Sequence, residues 1–140
     1  MNHLHALLWT AVTGLAVSLG ATTVVPAQTV LSAGDAAKSV TIQDLKATTS
    51  LVSGVVANHS PHAIRDIDIL VQYHWLWENE FKPGQQPPGQ AALVRLEKDL
   101  QPGQSVSFRY TLAPPLPERN DGRFEPEVTI AGFTVVVPAS

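Results

Sequence analysis

The stretch LVSGVVANHSPHAIRDIDILVQYHWLW, residues 51–77, decides the fold. It reads as a strand, a polar turn at Asn58-His59-Ser60-Pro61-His62, and a longer strand that crosses the centre of the molecule. In that longer strand Ile67, Ile69, Val71, Tyr73, Trp75 and Trp77 fall on alternate positions, and Arg65 begins the same register. The positions between them carry Asp66, Asp68, Gln72 and His74. Side chains of a strand alternate between its two faces, so this period predicts one buried and one wet face. On parity Trp75 and Trp77 belong to the core, with Trp77 the exception to watch because a loop follows it.

Outward from this stretch, the same reasoning finds more strands. Residues 40–47 (VTIQDLKA) are a first short strand and residues 48–58 a second, with Gly54 in mid-strand marking a bulge or a close backbone approach. Asn58 and Ser60 form turns by local side-chain hydrogen bonds, and Pro61 by its fixed φ. Residues 78–90 carry Pro83, Pro87 and Pro88, which lack a ladder donor. They are expected to form a surface loop that crosses from one sheet to another. Residues 91–98 fit a strand and also tolerate a helical turn. Leu100-Gln101-Pro102-Gly103 signals a turn. After it, Val106, Phe108, Tyr110 and Leu112 alternate with Ser105, Ser107, Arg109 and Thr111. Residues 113–122 are a second polar connection. Residues 124–137 close the chain as one bent strand, or as two broken at Gly132. The sum is roughly six or seven short strands and no mature helix, the pattern of an all-β antiparallel sandwich.

Length and composition bound the rest. The chain has 140 residues, 44% hydrophobic and 15% charged, which fits one folded domain. The net charge of -3 comes without any basic run, which argues against nucleic acid as a partner. Cysteine is absent, so disulfides, thiolate metal sites, a cysteine nucleophile and a lipoprotein anchor are all excluded.

Residues 1–27 contain no Asp, Glu, Lys or Arg, and an apolar run over residues 6–25 ends in Val25-Pro26-Ala27-Gln28. Short residues at Val25 and Ala27 suit signal-peptidase cleavage after Ala27. The reading is a signal-peptide helix over residues 1–27, with an uncleaved membrane anchor as its alternative. Residues 28–39 form a flexible lead, and residues 40–138 the folded domain. The expected location is the periplasm or the exterior of a bacterial cell envelope.

The arrangement Gly54-x-Val56-x-Asn58-x-Ser60, an alternating strand ending near Tyr73, and Leu100-x-Pro102-Gly103 before Phe108 resembles the FxLYD group of secreted bacterial and archaeal domains. At the eponymous motif the chain reads Leu70-Val71-Gln72-Tyr73-His74 and shares the tyrosine. The resemblance implies an immunoglobulin-like sandwich of about seven strands. It implies no catalytic residues.

Candidate chemistry is sparse. His59-x-x-His62 has the look of a metal-binding pair, with Asp66 or Asp68 as a hard ligand, but exposed turns favour polar residues without any ligand. Extended rise places Asp66 and His74 roughly 26 Å apart, so these two cannot share one ion. Glu78/Glu80 and Glu125/Glu127 recur at strand spacing and read as solvated edge charge rather than a glycosidase pair. No Gly-x-Ser-x-Gly elbow occurs. The expectation is therefore a non-enzymatic module without cofactor or metal. It binds an envelope or secreted protein through a surface that includes His59, His62, Trp77, Glu78, Glu80 and Phe81. The alternative is a small-ligand or carbohydrate binder built on residues 75–90.

Overall fold

The computed structural model describes residues 33–138, so the proposed signal peptide and the first part of the lead lie outside the described residues. The chain runs α1 (Ala33–Ser39), β1 (Val40–Ala47), β2 (Leu51–Asn58), β3 (Ala63–Trp77), β4 (Gln90–Leu96), β5 (Ser105–Thr111) and β6 (Gly122–Val136). β3 is central to one antiparallel sheet, ordered β4-β3-β6; the other is ordered β1-β2-β5. The protein is therefore all-β in its main body, with two three-stranded sheets, and six strands lie within the described residues.

One core joins the sheets. Val40, Val52, Val56 and Phe108 come from the first, and Ile64, Ile67, Ile69, Val71 and Tyr73 from β3. Leu100, Leu112 and Leu116 close it from the connections. Each fully buried aliphatic side chain contributes about 1.5–3 kcal/mol by leaving water, and β3 supplies more of them than any other strand. Tyr73 also spans the layers: its hydroxyl donates to the Thr48 carbonyl, 2.7 Å away, in the β1–β2 turn. Burial pushes its phenol pKa up from 10.0.

Four expectations change. The lead is not loose to its end, because its last seven residues form α1, closed by Ser39 Oγ donating to the Asp35 carbonyl. The residue 78–90 loop does not change sheets: β3 and β4 are neighbours in one sheet. The final segment is a single strand that starts at Gly122. The β3 parity is broken once: Ile64 is buried, Arg65 and Asp66 are exposed, and Ile67 is buried again. Asp66 has φ 51°, and between Arg65 and Asp68 the register against β6 slips. This is a bulge, whose extra residue turns the strand over, so Arg65 does not share the face of Ile67. Asp tolerates the left-handed conformation better than a branched residue would.

β1 repeats the device at Asp44, also at φ 51°, with the slip between Gln43 and Lys46. Gly54 of β2 sits opposite that bulge. A Cβ there would lie 2.9 Å from the Phe108 ring and 3.2 Å from the Gln43 carbonyl, so the close approach expected at this position is a ring laid across the strand. The Gln101–Gln104 turn closes with Gln104 N–H donating to the Gln101 carbonyl, with Pro102 and Gly103 (φ 77°) in the middle, the type II arrangement.

Candidate functional site

The core ends at Tyr73. Beyond it, Trp75 and Trp77 keep the inward parity but are only half-buried, and neither belongs to the core cluster. They overturn the expectation of core aromatics because the facing sheet does not extend over this end of β3. They pack instead on each other edge to face (5.8 Å between ring centroids), and Trp75 packs on Phe124 (4.8 Å). Arg119, from the connection before β6, covers both indoles, with its guanidinium carbon 5.0 Å from the Trp75 ring and 5.4 Å from that of Trp77. A cation over an aromatic face contributes about 0.5–2 kcal/mol.

Three further contacts fix that guanidinium. Its Nε donates to Asp121 Oδ1 at 2.8 Å, a second nitrogen binds Asp121 Oδ2, and a third donates to the Gln86 carbonyl at 3.0 Å. The hydrogen bonding between these two side chains above all holds the Asp121 carboxyl below its ordinary 3.8 and raises the Arg119 pKa. The loop backbone covers Trp77 from another direction, since a Cβ at Gly84 would lie 2.7 Å from the indole. Trp75 Nε1 is buried without a hydrogen-bond partner, the one such side-chain atom among the described residues.

On this platform the loop turns outward. Asn79 Oδ1 accepts the Phe81 N–H at 3.1 Å, and Lys82 N–H donates to the Asn79 carbonyl at 3.1 Å. This Asx turn presents Phe81 with 97% of its surface in solvent. An open groove of about 830 Å³ lies between Phe81 and Trp77, with Glu78, Glu80, Gly84 and Asp121 along it. Trp77, Glu78, Glu80 and Phe81, expected to act together, therefore do meet.

His59 and His62 do not join them. They precede β3 and the groove follows it, so the strand's 15 residues, about 45 Å of extended chain, separate the two groups. His59 Nε2 lies 2.8 Å from Thr41 Oγ1 on β1. His62 offers its backbone carbonyl to Asn58 Nδ2 at 2.9 Å. The candidate hard ligands are engaged as well. Asp68 takes Arg95 through two 2.8 Å bonds, and Asp66 lies 3.5 Å from Arg65. His74 lies 2.8 Å from Glu127. Among the described residues no three His, Cys, Asp or Glu side chains gather as metal ligands.

Sequence reasoning missed Arg119, Asp121 and Asn79. Asn79 was legible: Asn two residues before an exposed aromatic suits an Asx turn. Arg119 and Asp121 pair with each other two residues apart, but nothing local marks where the pair docks, because the Gln86 carbonyl and the two indoles lie more than thirty residues away in the chain. In comparisons with known proteins, no family model, no curated protein and no solved structure matches this chain.

Proposed function

We propose that this chain is an exported, non-enzymatic module with an immunoglobulin-like sandwich that binds a protein of the bacterial cell envelope, with Phe81 as the anchor. The observation that carries this is the exposed Phe81 on a loop held from below by Asn79, Arg119 and Trp77. A rigid exposed aromatic costs little entropy to bury and is the common centre of a protein interface. Glu78 and Glu80 flank it, so the fitting partner surface is an apolar pocket with basic residues at its rim.

The strand orders support the immunoglobulin-like reading. β1-β2-β5 corresponds to strands A, B and E of that fold, and β3 and β6 to the adjacent strands C and F of its second sheet. The FxLYD-like resemblance points the same way. Export rests on the uncharged apolar segment over residues 1–27. The carbohydrate alternative needs free indole faces for stacking, and Arg119 and the Gly84 backbone occupy them.

The test is a tagged chain with a photo-cross-linking residue at Lys82, irradiated in its own envelope and compared with a Phe81→Ser version. One dominant cross-linked protein, weakened at least about thirtyfold by the substitution, is expected for an anchor contributing about 2 kcal/mol or more. The same partner captured equally by both forms, or a saturable tryptophan fluorescence response to neutral sugars, overturns the reading.

A further inference from the structure

The four outer strands carry unequal protection against pairing with other chains. β1 has the Asp44 bulge. β6 contains Pro126, and Ala131 is left without an opposite residue where the register slips. β5 shows alternating Ser and Thr with Arg109 on its outer face. Bulges, prolines and charges are the usual devices that keep an edge from recruiting another strand.

β4 has neither a bulge nor a proline. Its sequence QAALVRL contains no Pro, Gly or Lys, and all seven residues pair with β3 in unbroken register. Its one charge, Arg95, is drawn onto Asp68 of β3 by two bonds and so leans away from the free edge. At the middle of the strand, Leu93 is 61% exposed. Among the described residues the β4 backbone is hydrogen-bonded only to β3, so alternate N–H and C=O groups face outward along the free edge.

We propose that two copies of this chain associate through β4, antiparallel about a two-fold axis at Leu93, merging their β4-β3-β6 sheets into one. The occupant is a second copy because β4 is self-complementary in that register. Leu93 meets Leu93 of the second copy. Since Leu70 is the β3 partner of Leu93, a row of four leucines crosses the joint. Ala91 meets Arg95 of the second copy, so the two guanidinium groups stand apart. On the inner face the half-buried Ala92 meets Val94 of the second copy and Gln90 meets Leu96. A shift that centres the axis on Arg95 sets like charges opposite each other, and one centred on Ala91 pairs only the end of the strand. Phe81 lies in the loop that precedes β4, outside the residues that meet across the joint.

The cysteine-free chain makes the test clean. Under mild oxidation Leu93→Cys is expected to form a disulfide-linked dimer, because directly opposed Cβ atoms lie about 4.5–5.5 Å apart. Ala91→Cys is expected not to, since its counterpart lies about four residues further along, roughly 13 Å away. In sedimentation equilibrium the unsubstituted protein should run as a dimer. Leu93→Lys should halve that mass while the monomer still unfolds in one cooperative transition that no longer depends on protein concentration, and Phe81→Ser should leave the mass alone. A monomer at every concentration, or equal cross-linking of the two cysteine variants, overturns the proposal.

Discussion

The two ends of β3 are built on opposite principles. At the Ala63 end the chain turns through Asn58, whose side chain is fully buried and fully matched. Nδ2 donates to the His62 and Leu100 carbonyls, and Oδ1 accepts the Ser60 N–H and lies 2.7 Å from the Ser60 hydroxyl. The backbone of the same residue donates to the Gln104 carbonyl and accepts from the Gly103 N–H. Reciprocal Ile64–Leu100 bonds complete the joint, so three segments distant in sequence are clamped by neutral hydrogen bonds in a dry setting. At the Trp77 end the clamp is a guanidinium over two indoles, half-open to water, with the Trp75 N–H unmatched. The first end has every polar group satisfied and is suited to hold the sheets together. The second leaves apolar surface and an orphan donor near solvent, and there the exposed loop begins. A single strand thus separates the structural end of the molecule from the end suited to binding.

That contrast can be broken most forcefully at Asn58. Asn58→Ala orphans the buried Ser60 N–H, at about 1–3 kcal/mol, and takes one donor each from the His62 and Leu100 carbonyls, which keep the Ser60 hydroxyl and the Ile64 N–H, at about 0.5–1.5 kcal/mol per lost bond. A total loss of about 3–4 kcal/mol is expected, read as a lower urea midpoint with an unchanged slope. Arg119→Ala should cost less than Asn58→Ala, because its contacts are partly screened by water. Its signature should be local: red-shifted tryptophan emission and faster amide exchange at Phe81 and Lys82, with the exchange of Ser60 unchanged.

Trp75→Phe sharpens the comparison from the other side. The smaller ring loses contact with Arg119 and Phe124 but removes the orphan donor. The two effects oppose each other, and the unfolding free energy should move by about 1 kcal/mol or less. A loss as large as that of Asn58→Ala would show that Trp75 is a true core residue.

Acid gives the smallest effect and separates the ends without mutation. Asp121 is held below its ordinary 3.8, first by its hydrogen bond from Arg119, and Asp68 likewise by Arg95. A depressed carboxylate adds stability above the unfolded value of 3.8 and loses it as pH falls through the lower folded value. Below about pH 4 the tryptophan emission should shift while the Ser60 amide stays protected, because the Asn58 clamp contains no titrating side chain.

The legible parts of this fold are those where chemistry is local. The alternation of Ile67, Ile69, Val71 and Tyr73 follows from strand geometry, and the structure buries all four. The Asn58 turn, the Pro102-Gly103 turn and the close approach at Gly54 each follow from one residue's own stereochemistry. The Asp66 bulge escaped because nothing in IRDI marks an extra residue; only the pairing with β6 requires it. Trp75 and Trp77 misled because parity reports which face a side chain takes, not whether another sheet covers it. Of the expected surface, Trp77, Glu78, Glu80 and Phe81 come together because they are near neighbours in the chain, and His59 and His62 lie apart because a long straight strand intervenes.

The sequence by itself determined an all-β chain, the central strand, the turns and the cysteine-free composition, because each depends on periodicity or on the conformational limits of single residues. Only the tertiary structure decided where the core stops, that Arg119 closes over the tryptophans, and that β4 is left as the unguarded edge. Those depend on which distant segments share space, and a one-dimensional pattern carries no term for that.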